Sequence, residues 1–474
     1  MTVIKEADLV ESVADALQFI SYYHPMDYIR ALGRAYELEQ GPAAKDAIAQ
    51  ILTNSRMCAE GHRPICQDTG IVTVFIKWGQ ECRLESSKSL QEVVDEGVRR
   101  AYLHPENRLR ASILADPAFA RTNTRDNTPS VLHVEMVPGK KVVVDVAAKG
   151  GGSENKTKFK MLNPSDSIVD WVLEMVPQMG AGWCPPGVLG LGIGGSPEQA
   201  MVMAKRSLFS PIDIQNLRNR NDLDEAERLR LEIFDRVNAL GIGAQGLGGD
   251  TTILDVKIAQ APSHAALLPV ALMPNCAATR FVSFTLDGSG PANLLAPDAS
   301  VWDDVPQAMP SSEGRRVDLD ALTLEEVRTW KSGELLLLSG RLLTGRDAAH
   351  KRLVDMLSRG ETLPVDLKNR AIYYVGPVDP IEGEAVGPAG PTTSARMDKF
   401  MPALLEQTGL LVSVGKAERG PVAIEAIKKA GVAYLVAVGG AAYLVSKAIE
   451  SAKVLAFEDL EWRQFTNLWC VTCP

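Results

Sequence analysis

The sequence of 474 residues is poor in the features that mark disulfide-rich secreted proteins and nucleic-acid-binding proteins. Its seven cysteines are an odd number at irregular spacing, so a disulfide framework is not expected and the thiols should be reduced. It has no basic run that could follow a phosphate backbone, and 50 Lys and Arg against 59 Asp and Glu give a net charge of −9. We therefore expect no nucleic-acid partner.

The sequence also lacks a long hydrophobic run. The richest apolar window, residues 431–445, is interrupted by Gly439 and Gly440, which predicts a buried strand and a turn instead of a membrane span. The N-terminal segment MTVIKEADLVESVADALQ is acidic and is typical of an amphipathic helix, not of a signal peptide. We expect a cytoplasmic protein without a membrane partner.

What is present fits a folded α/β protein. Hydrophobic residues make up 46% and charged residues 23%, and the length predicts two or three domains. Helical spacing predicts three helices between Glu6 and Met57, with breaks at His24-Pro25 and Gly41-Pro42. Further predicted elements are strands over 72–78, 130–137, 141–147 and 334–338 and helices over 90–102, 224–240 and 323–331.

A stretch rich in proline and glycine, residues 291–316, is the best linker candidate. After it, strands over 410–414 and 433–438 alternate with helices over 421–430 and 441–449, which is typical of a smaller α/β unit. The sequence therefore predicts a two-domain mixed α/β fold. The larger N-terminal domain takes residues 1–290, and the smaller C-terminal domain takes residues 317–474.

Three cysteines share a loop setting. Cys66 lies in PICQDTG, Cys184 in GWCPPG and Cys276 in MPNCAAT. Each alone is most simply a small buried residue, but the common setting favours a shared role. A zinc site is a poor match because no CxxC pair occurs among them, whereas an iron–sulfur cluster with three cysteine ligands would leave one iron open for a substrate.

The remaining cysteines give weaker signals. Cys58 and Cys82 have no such loop setting and are interpreted as core residues. Cys470 and Cys473 form a CxxC pair, but at a C-terminal end that we expect to be frayed.

Glycine-rich stretches leave other hypotheses open. Residues 190–195 fit GxGxxG and are followed by Ser196, Pro197 and Gln199, which predict an N-cap, a proline at the first helical position and a capping box. A dinucleotide site is thus conceivable, although the confirming strand and acidic residue are lacking. Residues 149–153 and 243–249 are either flexible loops or backbone that approaches a ligand.

Taken together, the motifs resemble the iron–sulfur hydro-lyases of the class I fumarase and tartrate dehydratase family, in which an α-type and a β-type region are fused. The resemblance covers about residues 8–460. It is carried by PICQDTG, AKGGGSENKT, GWCPPGVLGLGIGGS, QGLGGDTT, MPNCAATR, LSGRLLTGRDAAHKR and GPAGPTTSARMDKF.

The resemblance implies a [4Fe-4S] cluster held by Cys66, Cys184 and Cys276, with an active site between the two domains. It implies that Asp68 acts as acid and Thr392 as base, with His264 near the site. The implied substrate contacts are Gln67, Asp68, Arg110, the loop Gly150, Gly151 and Gly152, Arg346, Thr392, Arg396 and Lys416.

The activity that the resemblance implies is the reversible hydration of fumarate to (S)-malate, a tricarboxylic acid cycle reaction, by a homodimer. Mesaconate hydratase and tartrate dehydratase are alternatives, because pocket shape decides among substrates that share carboxylate-binding residues. An inactive scaffold or metabolite-binding module is a more distant alternative. A third alternative is an NAD-dependent enzyme that binds the dinucleotide at residues 190–195.

Residues 461–474 depart from the resemblance. Similar chains continue with a segment like GMEAIYEF and then VVRDMPV, whereas this chain reads EWRQFTNLWCVTCP. A codon sequence for the expected segment gives the observed residues when it is read one base later. The sequence thus predicts a frameshifted tail, in which Cys470 and Cys473 have no evolved role and the normal last strand is missing.

Overall fold

The computed structural model describes residues 1–303, 305–306 and 314–473. Helices and strands alternate along the chain, and the fold is α/β as predicted. The helices before residue 290 are α1 (Glu6–Tyr22), α2 (Met26–Leu38), α3 (Pro42–Gly61), α4 (Leu90–Tyr102), α5 (Gly151–Glu154), α6 (Ile168–Met179), α7 (Pro197–Ser207), α8 (Ile214–Arg218) and α9 (Glu225–Asn238). The strands there are β1 (Thr2–Lys5), β2 (Ile71–Gly79), β3 (Cys82–Glu85), β4 (Val131–Val137), β5 (Val142–Lys149), β6 (Lys158–Leu162), β7 (Gly187–Gly194), β8 (Ile253–Ala261), β9 (Leu268–Asn275) and β10 (Phe281–Leu286).

The rest of the chain continues the alternation. Its helices are α10 (Leu324–Val327), α11 (Asp347–Ser358), α12 (Met401–Thr408), α13 (Pro421–Ala430) and α14 (Ala442–Lys447). Its strands are β11 (Arg315–Asp318), β12 (Leu336–Thr344), β13 (Ala371–Tyr373), β14 (Val412–Gly415), β15 (Ala433–Val436), β16 (Ile449–Ala456) and β17 (Phe465–Cys473). Short 3₁₀ helices lie at Ala244–Gly246, Ala299–Trp302, Ser394–Phe400 and Glu458–Arg463.

The first ten strands form three sheets. β1 pairs with β3, a four-stranded sheet has the order β10-β5-β2-β4, and another has the order β6-β9-β7-β8. β2 has an almost continuous apolar sequence because both of its neighbours and the packed helices bury it. The third sheet matters most for the site, because it presents the ends of β7 and β9 side by side.

The remaining strands form one sheet with the order β15-β14-β13-β12-β17-β16, and β11 pairs with β12. Its core is apolar, and the helices of this part pack on it. Among the described residues, no sheet joins strands from before residue 290 to strands from after residue 314. We call residues 1–290 the N-terminal part and residues 317–473 the C-terminal part. Residue 304 and residues 307–313 of the predicted linker lie outside the described residues.

Three helices were predicted between Glu6 and Met57, and the structure has α1, α2 and α3 there. Two predictions after the linker are wrong in extent. The helix predicted over 323–331 covers only Leu324–Val327, because a turn with Gly333 at φ 81° follows. β12 runs on to Thr344, beyond the predicted end at 338, since Gly340 lies at a β-bulge and does not end the strand.

The C-terminal residues form a strand where none was expected. β17 lies between β12 and β16 and pairs antiparallel with both. Phe465, Leu468, Cys470 and Cys473 are buried, so the expectation of a frayed end without a last strand is wrong. The physical reason is that the buried Leu468 and Cys470 alternate with the exposed Trp469 and Val471, which suits a half-buried strand whatever the history of the tail. The frameshift itself stays a prediction.

The glycines of residues 190–194 belong to β7 and do not form a phosphate-binding turn. A Cβ at Gly190 would lie 2.3 Å from the Ala204 carbonyl oxygen, and one at Gly192 would lie 1.9 Å from that of Ala200. The glycines therefore let α7 pack directly on the strand. Ser196 is the N-cap of α7 and Pro197 its first residue, but the predicted capping box is absent because the Ser196 hydroxyl donates to Glu198.

Candidate active site

The sheet β6-β9-β7-β8 brings two of the three loop cysteines together. Cys184 precedes β7 and Cys276 follows β9, and Val188 pairs with Asn275 in the antiparallel register. The amide of Ala277 donates to the Cys184 carbonyl at 2.9 Å, which joins the two loops. Cys66 lies in the loop between α3 and β2 and shares an apolar cluster with Cys276.

Cys66 and Cys184 are buried, and Cys276 is partly exposed. Burial raises the pKa of the Cys66 thiol to about 11, although Arg280 and Lys416 act in the opposite direction. Burial also raises the pKa of Cys184, again against Lys416. In the described part of the chain, no three His, Cys, Asp or Glu side chains form a group that could hold a metal ion. The three thiols are thus neighbours without being the compact ligand set of a single ion.

The C-terminal part supplies the cation that faces these thiols. Lys416 follows β14, and its Nζ donates to the Cys184 Sγ at 2.8 Å. Burial lowers the pKa of Lys416, but the three cysteines Cys184, Cys66 and Cys276 raise it more, so that the net shift is upward. A thiolate at Cys184 would form an ion pair with this ammonium group, which also attracts negative charge at Cys66 and Cys276.

Asp68 lies two residues after Cys66 with its carboxylate held by backbone amides. Its Oδ2 accepts from the Gly151 amide at 2.9 Å, and its Oδ1 accepts from the Gly70 amide at 3.2 Å. Burial raises the pKa of Asp68, but Arg110, Arg280 and Lys416 outweigh burial and the net shift is downward. The carboxylate is therefore ionised at neutral pH.

Gln67 and the glycine loop 150–152 lie on the same side of the site as Asp68. The Gln67 side chain donates to the Pro391 carbonyl at 3.1 Å and accepts from the Cys66 thiol at 3.2 Å. A Cβ at Gly390 would lie 2.4 Å from Gln67 Oε1, so a larger residue there would displace the Gln67 amide from its present position. Gly150 lies against Asp68 in a similar way, with its hypothetical Cβ 3.3 Å from Oδ2.

Three guanidinium groups lie close to one another, and two of them, Arg110 and Arg346, also interact with Asp68. The pKa of Arg346 is lowered well below its usual value, first by burial and then by the charges of Arg110 and Arg396. Burial also lowers the pKa of Arg110, while Asp68 raises it. Arg110 comes from the N-terminal part and the other two from the C-terminal part. Arg346 is buried, Arg110 is partly buried and Arg396 is exposed, and mutually repelling cations of this kind favour an anion of more than one charge.

Thr392 contacts one of these arginines directly. Its Oγ1 accepts a hydrogen bond from the Arg396 guanidinium. Its amide donates to the Tyr374 carbonyl at 2.8 Å, and its carbonyl accepts from the Lys416 amide at 3.2 Å. The side chain is 9% exposed, so it is held at the site and still reachable from it.

The structure does not bring His264 to these residues. It lies exposed in the loop between β8 and β9, where its ring accepts from the Ala266 amide. This loop follows Ala261, which pairs with Gly194 at the end of β7. Cys184 precedes the opposite end, and a strand of this length spans about 23 Å. Within one chain, His264 is therefore remote from the other predicted residues.

Sequence reasoning missed four buried polar residues around the cysteine loops, namely His24, Asn54, Gln245 and Arg280. Arg280 donates to the carbonyls of Asp68 and Ala148 at 2.6 and 3.0 Å and so joins two loops. Gln245 and Arg280 stand in the quoted motifs QGLGGDTT and MPNCAATR, where they could have been noticed. His24 and Asn54 lie on or beside helices with no local signal, because only the tertiary fold brings them to the site.

Comparisons with known proteins show which families the chain matches. The family model for fumarate hydratase (fumerase) matches residues 10–285, and the model for the fumarase C-terminus matches residues 288–465. Fumarate hydratase 2 of Leishmania major is 31% identical over 468 residues, which cover 94% of this chain and 80% of that protein.

Two further relatives extend the comparison. A putative class I fumarate hydratase of Geobacillus stearothermophilus is 30% identical over 474 residues, covering 94% of this chain and 89% of that protein. A putative L(+)-tartrate dehydratase subunit alpha of Methanocaldococcus jannaschii is 35% identical over 275 residues, covering 56% of this chain and 94% of that protein. No helix among the described residues is long and apolar enough to cross a membrane.

Proposed function

Because the chain belongs to the fumarate hydratase (fumerase) family, we propose that it is a hydro-lyase that interconverts fumarate and (S)-malate. The observation that carries the proposal is the meeting of three loop cysteines and Asp68 from the N-terminal part with Arg346, Arg396 and Lys416 from the C-terminal part. Such a site combines soft metal ligands with positive charge for a dicarboxylate.

The three cysteines fit a [4Fe-4S] cluster. Thiolates are its usual ligands, and three thiols without a histidine among them form a soft donor set. A Cβ at Gly439 would lie 2.4 Å from the Cys184 Sγ, so a glycine of the C-terminal part leaves room at this sulfur. When bound, the cluster would supply a Lewis-acidic iron that polarises the hydroxyl group of the substrate.

The arginines suit a dianion. Arg110, Arg346 and Arg396 can each bind a carboxylate through two N–H groups, and their mutual repulsion would fall when negative charge enters. Because the groups come from both parts of the chain, the two ends of one small substrate would be held between them.

Asp68 is suited to take a proton from water in the hydration direction. Its lowered pKa keeps the carboxylate ionised, so that it can accept the proton as the water oxygen bonds to one alkene carbon. In dehydration the same group, now protonated, returns that proton to the leaving hydroxyl. Asp68 therefore acts as a base in hydration, which suits its low pKa, and as an acid in dehydration, which is the role that the family resemblance implies.

Thr392 is suited to exchange a proton with the other carbon. In hydration the π electron pair forms a C–H bond with the proton of the Thr392 hydroxyl. In dehydration the threonine oxygen removes that proton from the same carbon. The Arg396 guanidinium donates to this oxygen and would stabilise its negative charge, which supplies the activation that a threonine base needs. Proton exchange with solvent closes the cycle, and the sum is addition of one water.

Tartrate is a second candidate substrate, since a tartrate dehydratase subunit matches the N-terminal part. Mesaconate differs from fumarate by one methyl group, and the same arginines would bind it. From the sequence resemblance we also propose a cytoplasmic homodimer. We likewise propose that residues 291–316 are the linker between two domains.

The test is a side-by-side assay after anaerobic reconstitution with iron and sulfide. We expect hydration of fumarate to have the highest kcat/KM, above mesaconate and tartrate, and to be lost on brief exposure to air. A protein that binds iron but prefers tartrate would replace the substrate assignment. A folded protein that takes up no iron and hydrates nothing would overturn the proposal.

A further inference from the structure

Each cysteine loop is fixed by a buried side chain that contacts the carbonyl next to the cysteine. Asn54 Nδ2 donates to the Ile65 carbonyl at 3.1 Å, one residue before Cys66. Gln245 Nε2 donates to the Pro185 carbonyl at 2.7 Å, one residue after Cys184. The structure thus gives two of the three loops an amide clamp.

The third loop has a histidine in the corresponding place. His24 Nε2 donates to the Ala277 carbonyl at 3.0 Å, one residue after Cys276, and its Nδ1 contacts the Ser55 hydroxyl at 3.0 Å. The Ser55 hydroxyl is also the acceptor for the Trp302 indole N–H at 3.2 Å. The ring is therefore held from both sides.

The two amide clamps also reach the C-terminal part. Gln245 Oε1 accepts from the Gly439 amide at 2.8 Å. Asn54 Nδ2 donates to the Gly440 carbonyl at 3.0 Å, and its Oδ1 accepts from the amides of Tyr443 and Leu444 at 2.9 and 3.0 Å. Both side chains are buried, Asn54 fully and Gln245 to 4% exposure. Each amide thus bonds both a cysteine loop and the C-terminal part: Gln245 binds the turn at Gly439, and Asn54 binds the turn at Gly440 and the first residues of α14.

We propose that Asn54 and Gln245 are positioning residues that make the geometry of the Cys66 and Cys184 loops depend on docking of the Gly439–Gly440 turn. The proposal rests on the proposed function for the identity of the bound cluster. Buried amides with both ends bonded are costly to break, because any movement of the turn leaves donors or acceptors without a partner. Cluster retention and closure of the active site by the C-terminal part would therefore occur together.

The test uses changes of the same shape that replace the amide donor with a carboxylate oxygen. Gln245→Glu keeps an oxygen for the Gly439 amide and places the second against the Pro185 carbonyl. Asn54→Asp keeps an oxygen for the amides of α14 and places the second against the carbonyls of Ile65 and Gly440. Asn238→Asp is the matched control, since Asn238 donates to the Ile253 carbonyl and accepts from the amides of Thr252 and Ile253, away from the cysteines. A further variant, Gln245→Ala, covers the case in which a buried carboxylate prevents folding.

Two measurements follow. In anaerobically reconstituted protein, an iron chelator should bleach the visible absorbance of Asn54→Asp and Gln245→Glu about tenfold faster than that of the wild type, and Asn238→Asp should match the wild type. Hydrogen exchange should become faster together in residues 62–70 and 439–444 for Asn54→Asp, both before and after reconstitution. In Asn238→Asp, exchange in both segments should stay at the wild-type rate.

Unchanged bleaching rates in all clamp variants would overturn the inference, and so would equal acceleration in Asn238→Asp. If the wild type itself takes up no iron, the proposed function fails, but joint exchange of the two segments still tests the coupling. Faster exchange in one segment alone would refute it.

Discussion

At the scale of single residues, the site is a balance between burial and charge. Asp68 is partly buried yet has a lowered pKa, because the nearby cations outweigh the cost of desolvating its charge. Arg346 is buried among like charges, and its pKa is depressed accordingly. These groups are arranged at a cost in stability that binding of a dianion would offset.

The role of Thr392 can be tested with one isosteric change. Thr392→Val keeps the shape but removes the Oγ1 that accepts from Arg396, so we expect kcat to fall at least about 10³-fold while the visible absorbance of the cluster is unchanged. Thr408→Val, at the end of α12, is the control, and its kcat should match that of the wild type. Retention of most activity by Thr392→Val would remove this hydroxyl from the reaction.

At the scale of elements, close approach of backbone to the site depends on single glycines. Gly439→Ala would place a Cβ 2.4 Å from the Cys184 Sγ, so we expect loss of most bound iron after reconstitution. Gly33→Ala is the control, because nothing lies within 4 Å of its hypothetical Cβ inside α2 and alanine favours the helix by about 1 kcal/mol. Gly33→Ala should retain its iron and melt at a slightly higher temperature. Full iron content in Gly439→Ala would contradict the assigned contact.

The last strand gives a second test at this scale. β17 separates β12 from β16, so a chain that ends at Gln464 should leave β16 unpaired, expose one edge of β12 and leave the C-terminal part unfolded. We expect the shortened chain to aggregate or to be cut by protease within residues 317–464. The double change of Cys470 and Cys473 to serine should leave the iron content as in the wild type. A stable shortened chain would show that β17 is dispensable.

Elements with regular patterns could be predicted from the sequence, and elements set by tertiary contacts could not. Helical spacing indicated α1 to α4 and α13, and β-branched runs indicated β2, β4 and β5, because local pattern and burial agree there. The bulge at Gly340 and the central place of β17 depend on strand pairing, which the local sequence does not contain.

The family motifs predicted a set of site residues, and all of them except His264 belong to segments that the structure brings together with Asp68. His264 belongs to a loop at the far end of β7 in this chain, and no local pattern could reveal that distance. Asn54 was missed for the opposite reason, since an asparagine inside a helix looks ordinary until the fold shows its partners.

At the scale of the whole molecule, buried neutral histidines make stability depend on pH. Burial lowers the pKa of His24 to about 3 and that of His350 to about 4, against 6.5 in the unfolded chain. Between pH 6.5 and about 4 the unfolded state binds more protons, so the free energy of unfolding falls as pH falls through this window. The stabilising contribution is fully present above about pH 6.5.

His350 permits a direct measurement of this effect. Its Nδ1 donates to the Arg346 carbonyl at 2.9 Å, and His350→Gln keeps a donor without a titrating ring. Urea unfolding of reconstituted protein at several pH values should show the wild type losing up to about 1.4 kcal/mol per pH unit relative to the variant below pH 6.5. A constant difference between the two proteins across pH 4.5 to 7.5 would exclude a buried neutral His350.

The most direct test of the central claim is the iron content of cysteine variants after anaerobic reconstitution, measured together with hydration of fumarate. We expect about four irons per chain in the wild type, in Cys58→Ser and in Cys82→Ser, each active. We expect little iron and no activity when Cys66, Cys184 or Cys276 is changed to serine. Full iron content and wild-type hydration in any of these three variants would contradict the assignment of the site.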